Sequence, residues 1–224
     1  MNKHMRGLAK RPLTLRGAQV SCVHGLKVHL VDGTYVRNNI DSDFVQGSGW
    51  NATYIPKGEI WIDWAVLPKE VHHLIDNECR QAESLRKGNG TFVGAYDKAK
   101  KVEDADRKKE ARLARMKSSK KAPWKKDADM TCKHGLKVYL VDGLHVRAID
   151  CAFIQGGNEF RYGFVPKGEL WVDWHVPEAE WPYVLLHECH ETELMRKGWS
   201  YDRAHNAAKR LENKERRKDR PGES

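Results

Sequence analysis

A chain of 224 residues has room for two domains of roughly 90 residues each, near the size at which one core suffices. Its 40% hydrophobic content suits a globular protein, and no stretch approaches the ~18 apolar residues of a membrane span, so no membrane partner is expected. The net charge of +9 suits an acidic partner, either nucleic acid or an acidic protein surface.

Residues 1–20 read as a basic N-terminal arm; Met1–Pro12 lacks an apolar h-region and makes a poor secretory signal. Residues 21–105 then form the first of two copies of one unit. Cys22–Arg37 returns as Cys132–Arg147 with 12 of 16 residues identical, and Pro56–Trp64 returns as Pro166–Trp174. A repeat occurring only twice argues for tandem domains, not a solenoid. In copy one, Lys27–Val31 alternates as a strand, and Asp32-Gly33 reads as a hairpin turn with Tyr35–Arg37 returning antiparallel. Phe44–Gly47 reads as a third strand, Pro56–Glu59 as a turn and Ile60–Asp63 as the last strand. A helix is expected over about 68–87, stopped by Gly88, followed after a longer connection by a second helix from Tyr96.

Residues 106–130 form a basic linker with no apolar stripe apart from Leu113 and Met116. It is expected to be helical and dispensable for folding, to break between Ser118 and Lys126, and to be the surface that meets an acidic partner. Copy two spans 131–217 and a tail 218–224. It repeats the strand pattern at 137–173, with helices expected over about 178–197 and 201–217, Ser200 as N-cap of the second and Gly198 as the stop of the first. Each copy is thus an α+β unit: a small antiparallel sheet followed by a helical hairpin.

The chemistry concentrates in the first long helix of copy two, His187-Glu188-Cys189-His190-Glu191. At helical period one inward row is Val184, His187, Glu191 and Leu194, and its neighbour is Trp181, Leu185, Glu188, Thr192 and Met195. Carboxylates on an apolar face require compensation by a cation, an arginine or a metal. On the next helix Tyr201, Ala204, His205 and Ala208 share a face. A tight hairpin with every residue advancing 1.5 Å sets His205 level with about Glu193, on the order of 9 Å short of His187.

Copy one supplies the comparison. Asn77 stands against His187, Arg80 against His190, Gln81 against Glu191 and Lys100 against His205, while Glu78 matches Glu188. This is the pattern of a copy that no longer binds a cation, with Glu78 pointing to a structural duty for its counterpart. Cys22/His24 and Cys132/His134 repeat a Cys-x-His pair, and Cys79/Cys189 recur. Either routine buried cysteines or part of a structural zinc site fits these. Five cysteines, an odd number, read as free thiols of a reducing compartment.

The His187–Glu191 helix resembles the short zincin-like metallopeptidase domains, with His-Glu-x-x-Glu in place of His-Glu-x-x-His. The resemblance implies a divalent transition metal, zinc foremost, held by His187, Glu191 and His205 with His190 as substitute, and Glu188 as the catalytic base. The stretch His187–His205, with the preceding Pro-Lys-Gly-Glu strand, also resembles small bacteriophage and prophage proteins. That implies a viral or mobile-element origin and a cytoplasmic location, in the host or in a virion. Two function classes follow: a metal-dependent hydrolase or peptidase with copy one as a pseudo-domain, or a non-catalytic binding protein acting through its basic segments.

Overall fold

The computed structural model describes residues 25–88, 91–117, 124–132 and 135–219. The basic arm 1–20, Cys22, His24, His134, residues 118–123 of the expected break and residues 220–224 lie outside them. The chain divides into two compact units, Met1–Asp106 and Arg107–Ser224.

Unit 1 runs β1 (Lys27–Val31), α1 (Gly33–Asn39), β2 (Gln46–Ser48), β3 (Glu59–Asp63), α2 (Pro68–Arg86) and the start of α3 (Phe92–Lys117). The expected hairpin is not there. Asp32 accepts a hydrogen bond from the Tyr35 backbone N–H at 2.9 Å and so caps a short helix, the other structure that an Asp-Gly pair nucleates. The chain therefore crosses over, and β1 lies parallel to β3 from Lys27 opposite Glu59 to Val31 opposite Asp63. Only β2 runs antiparallel to β3, so the sheet order is β1-β3-β2 and the sheet is mixed, not purely antiparallel.

The sheet separates two small cores by strand alternation. Val28, Ile60 and Ile62 face α2, meeting Leu74, Ile75 and Cys79. Val31 and Trp61 face the other way, onto Val36, Phe44 and Ile55. On that second side Arg37 and Asp63 form a buried ion pair at 2.7 Å. The Arg37 guanidinium also donates to the Phe44 carbonyl, and Asp63 accepts from the Ala65 N–H. Gly33 belongs to this arrangement: a Cβ there would lie 2.1 Å from the Asp63 carboxyl.

Unit 2 repeats the plan with β5 (Lys137–Val141), α4 (Gly143–Arg147), β6 (Gly156–Asn158), β7 (Glu169–Asp173), α5 (Trp181–Arg196) and α6 (Tyr201–Lys218). Arg147 pairs with Asp173 at 2.8 Å, and Gly143 again makes room for the carboxyl. One element is additional. β4 (Lys125–Thr131) pairs antiparallel with β5 and gives the order β4-β5-β7-β6. The last residues assigned to the linker are therefore a sheet edge, and the part before residue 118 is helix α3. Gly88 and Gly198 stop α2 and α5 with φ of +66° and +85°, as C-terminal glycines do.

The cysteines differ from the free-thiol expectation. Cys132, just after β4, forms a disulfide with Cys189 on α5, and Cys79 is disulfide-bonded as well. Cys151 is a free thiol.

The buried ion pair sets a first test. Arg37→Ala leaves Asp63 buried and uncompensated, and is expected to destabilise the chain by about 3–5 kcal/mol in urea unfolding. A loss below about 1 kcal/mol would show the pair to be dispensable.

Candidate metal centre

Helix α5 buries the row expected from its periodicity: Val184, His187, Glu191 and Leu194. Helix α6 packs against it through Ala204 and Ala208, both fully buried. Small side chains let the two helices approach closely, and His205 reaches the α5 row. His187 Nε2 lies 3.1 Å from His205 Nδ1, His205 Nδ1 lies 3.1 Å from Glu191 Oε2, and the third edge, His187 Nε2 to Glu191 Oε2, is 3.6 Å.

The offset that placed His205 short of His187 does not exist. After Gly198 the connection is extended at Ser200, with φ −64° and ψ 154°. One extended residue gains only about 2 Å over a helical rise, so α6 does not run level and parallel with α5 as a tight hairpin would, and the two histidines meet.

Glu212, one helical turn beyond Ala208, accepts from His187 Nδ1 at 2.8 Å. With that nitrogen carrying the proton, Nε2 of a neutral His187 presents its lone pair to the cluster. Arg216 in turn clamps Glu212 at 2.8 Å and Glu180 at 2.7 Å, and both carboxylates are buried. On the other side, the Asn158 amide donates to Glu191 Oε1 at 2.8 Å and to Glu188 Oε2 at 2.9 Å. Glu188 thus stands beside the three converging atoms without being one of them. His190 lies apart, half-buried with Nδ1 3.8 Å from Glu193 on the same helix, so the structure does not bring the substitute ligand to the cluster.

The electrostatics follow from four carboxylates sharing this space with one arginine and two histidines. Burial opposes charge on His187, but its bonds to Glu191 and Glu212 prevail and raise its pKa. Burial likewise opposes charge on Glu191, yet hydrogen bonds from His187, His205 and Asn158 hold it below the usual carboxylate range. Glu188 is pushed up to about 7, by burial first and then by the charge on Glu191.

Could these atoms hold a metal? Two donors each about 2.1 Å from an ion, at tetrahedral to octahedral angles, lie roughly 3.0–3.4 Å apart. The three edges sit in or near that range, and two imidazoles with one carboxylate form a recognised donor set for divalent transition metals. The three residues form a group able to hold an ion. Among the described residues, no comparable arrangement occupies the equivalent place in unit 1. There Asn77 donates to Glu103 at 2.7 Å and Gln81 donates to Asn77, while Lys100 pairs with Asp104.

Sequence reasoning passed over Glu212, Arg216, Glu180 and Asn158. The spacing of 205, 208, 212 and 216 is that of one helix face, so Glu212 and Arg216 were within reach of the same argument that found His205. Asn158 carries no such signal, because its role depends on how a turn approaches α5.

Comparison of the chain with protein-family models, curated proteins and solved structures finds no match.

The carboxylate shared by both copies provides a pH test in unit 1, where Glu78 accepts from Asn51 at 2.9 Å and burial pushes its pKa up to about 7. The folded state then keeps a proton that the unfolded state releases near 4.5. Stability should fall as pH rises from about 4.5 to 7 and level off above. Glu78→Gln is expected to remove the Glu78 share of that slope, gaining on the order of 3 kcal/mol relative to wild type at pH 8 and little at pH 4.5. Parallel urea-midpoint profiles for the two proteins would contradict it.

Proposed function

We propose that unit 2 is a metal-dependent hydrolase module and that unit 1 is its non-metal-binding counterpart. His187 Nε2, His205 Nδ1 and Glu191 Oε2 hold the ion, with zinc the first choice for this donor set. The observation that carries this reading is the convergence of those three atoms at ligand spacing, with Glu212 orienting His187 from behind. A bound divalent ion supplies Lewis-acid polarisation and a water acidified toward neutrality. The chain's own residues do the rest. Asn158 fixes Glu188 and Glu191 relative to one another, and the Glu188 carboxylate accepts a proton from the attacking water and returns it to the leaving group. His205, with 29% of its side chain exposed, marks the side from which substrate enters.

A second reading has one observation in its favour. Glu78 holds the same bond to an asparagine in the unit without the histidines, so Glu188 can be a structural residue in a metal-stabilised binding module. The basic segments would then serve an acidic partner.

Two variants separate these. Wild-type protein should carry about one transition metal per chain, and His187→Ala none; equal content in both, or none in either, defeats the metal assignment. Glu188→Gln should retain the metal and lose chelator-sensitive hydrolysis of a peptide or ester panel by 100-fold or more. Hydrolysis unchanged in Glu188→Gln removes Glu188 as the base, and hydrolysis absent from metal-loaded wild type leaves the binding module as the correct reading.

A further inference from the structure

The two units hold the same buried carboxylate with an asparagine taken from different positions. In unit 1 the asparagine is Asn51: its Oδ1 accepts from the Ser48 N–H at 2.7 Å while its Nδ2 holds Glu78 at 2.9 Å. In unit 2 it is Asn158, at the position matching Ser48, and position 161, matching Asn51, is arginine. The duty has moved three residues along the turn. What occupies the vacated position is the only new cation on this loop.

Arg161 is exposed and adjoins the residues around the histidine cluster at two points. Its backbone N–H donates to Asn158 Oδ1 at 3.1 Å, and the same asparagine grips Glu188 and Glu191. Its guanidinium lies 4.7 Å from the centroid of the Tyr201 ring and 5.2 Å from that of Tyr162, and Tyr201 also stacks on His205 at 5.4 Å and 23°. A guanidinium, an aromatic ring and a proposed metal ligand thus form one continuous wall. Tyr201 is the side chain that both the guanidinium and His205 contact. Phe160, 43% exposed on the same turn, adds an apolar surface beside it.

We infer that Arg161 is the substrate-anchoring residue of this site, binding an oxyanion, carboxylate or phosphate, carried by the substrate at a distance from its scissile bond. This rests on the metal-centre reading above. The planar fork of arginine suits two-point binding of such groups, and stacking on Tyr201 restricts it in advance, so less freedom is lost on binding. Unit 1 has neither the histidines nor the arginine. The ligand histidine His205 and the arginine that unit 1 lacks therefore adjoin the same tyrosine.

The test uses full-length protein and three probes: acetohydroxamate, the monohydroxamate of adipic acid, and its analogue ending in a phosphonate. Each carries the same metal-seeking head, and only the last two reach toward Arg161. Metal content is measured first. Metal-loaded wild type should bind at least one charged probe 10-fold or more tighter than acetohydroxamate, and the better of the two identifies the oxyanion. Arg161→Gln should keep its metal while that preference falls to about one, and Arg161→Lys should retain part of it. A metal-loaded wild type without preference, or an Arg161→Gln variant that keeps it, overturns the anchor and leaves the metal centre standing. A wild type that binds no metal overturns both, and does so at the first measurement.

Discussion

Each unit depends on burying an arginine–aspartate pair where its first short helix meets the end of its last strand. Such a pair gains little over apolar packing, but losing either partner is costly, so every neighbour must be arranged to satisfy it. Arg37 reaches the Phe44 carbonyl as well as Asp63, and Asp63 also accepts from the Ala65 N–H. Gly33 is present because the carboxyl needs the space of its Cβ. These bonds anchor α1 and the turn before β2 to one face of a thin sheet, and the opposite face remains for the long helices. Arg147, Asp173 and Gly143 repeat the arrangement, which explains why the most identical stretch of the two copies is the one around it.

The second buried polar system lies on the helical side, and there the copies diverge. Unit 1 solves its burial problem with amides: Gln81 donates to Asn77, which donates to Glu103. Unit 2 gathers Glu180, Glu188, Glu191 and Glu212 about a single arginine, Arg216, and two histidines. Neutral histidines leave that collection strongly negative in a poorly hydrated place, so it must take up positive charge. Protons on the imidazoles supply it in part. The proposed divalent ion would supply it at the point where three lone-pair donors converge, in competition with protons for the same atoms.

Much of this was legible in the residues, for identifiable reasons. Helical period alone placed Val184, His187, Glu191 and Leu194 on one face, and strand alternation around Trp61 and Trp171 found the last strand of each sheet. The misreadings came where one local pattern serves two structures. Asp32-Gly33 fits a hairpin turn and a helix cap equally well, and only the long-range Arg37–Asp63 pair, invisible to a local window, decides for the cap. His205 was set too far from His187 because a level, parallel hairpin was assumed for α5 and α6, and how two helices pack is not written in their spacing. The pairing of Cys132 with Cys189 joins segments 57 residues apart, and no spacing rule specifies such a partner. β4 was hidden by its charge, since an edge strand rich in lysine and aspartate looks like linker until its neighbour is known.

The two copies also differ in how one turn serves the buried glutamate, without any change of fold. A buried glutamate on the first long helix, Glu78 or Glu188, takes an amide donor from the adjoining turn, and the turn is tight enough that Asn51 in one unit and Asn158 in the other reach inward. Moving the asparagine to the earlier position does two things at once. Asn158 now spans Glu188 and Glu191 together, where Asn51 holds Glu78 alone. At the later position unit 2 carries an exposed arginine, Arg161, in place of the asparagine. A pair of exchanges within one turn thus couples the order of the buried carboxylates to the identity of the group facing solvent, while the sheet, the arginine–aspartate pair and the helix packing beneath them stay the same.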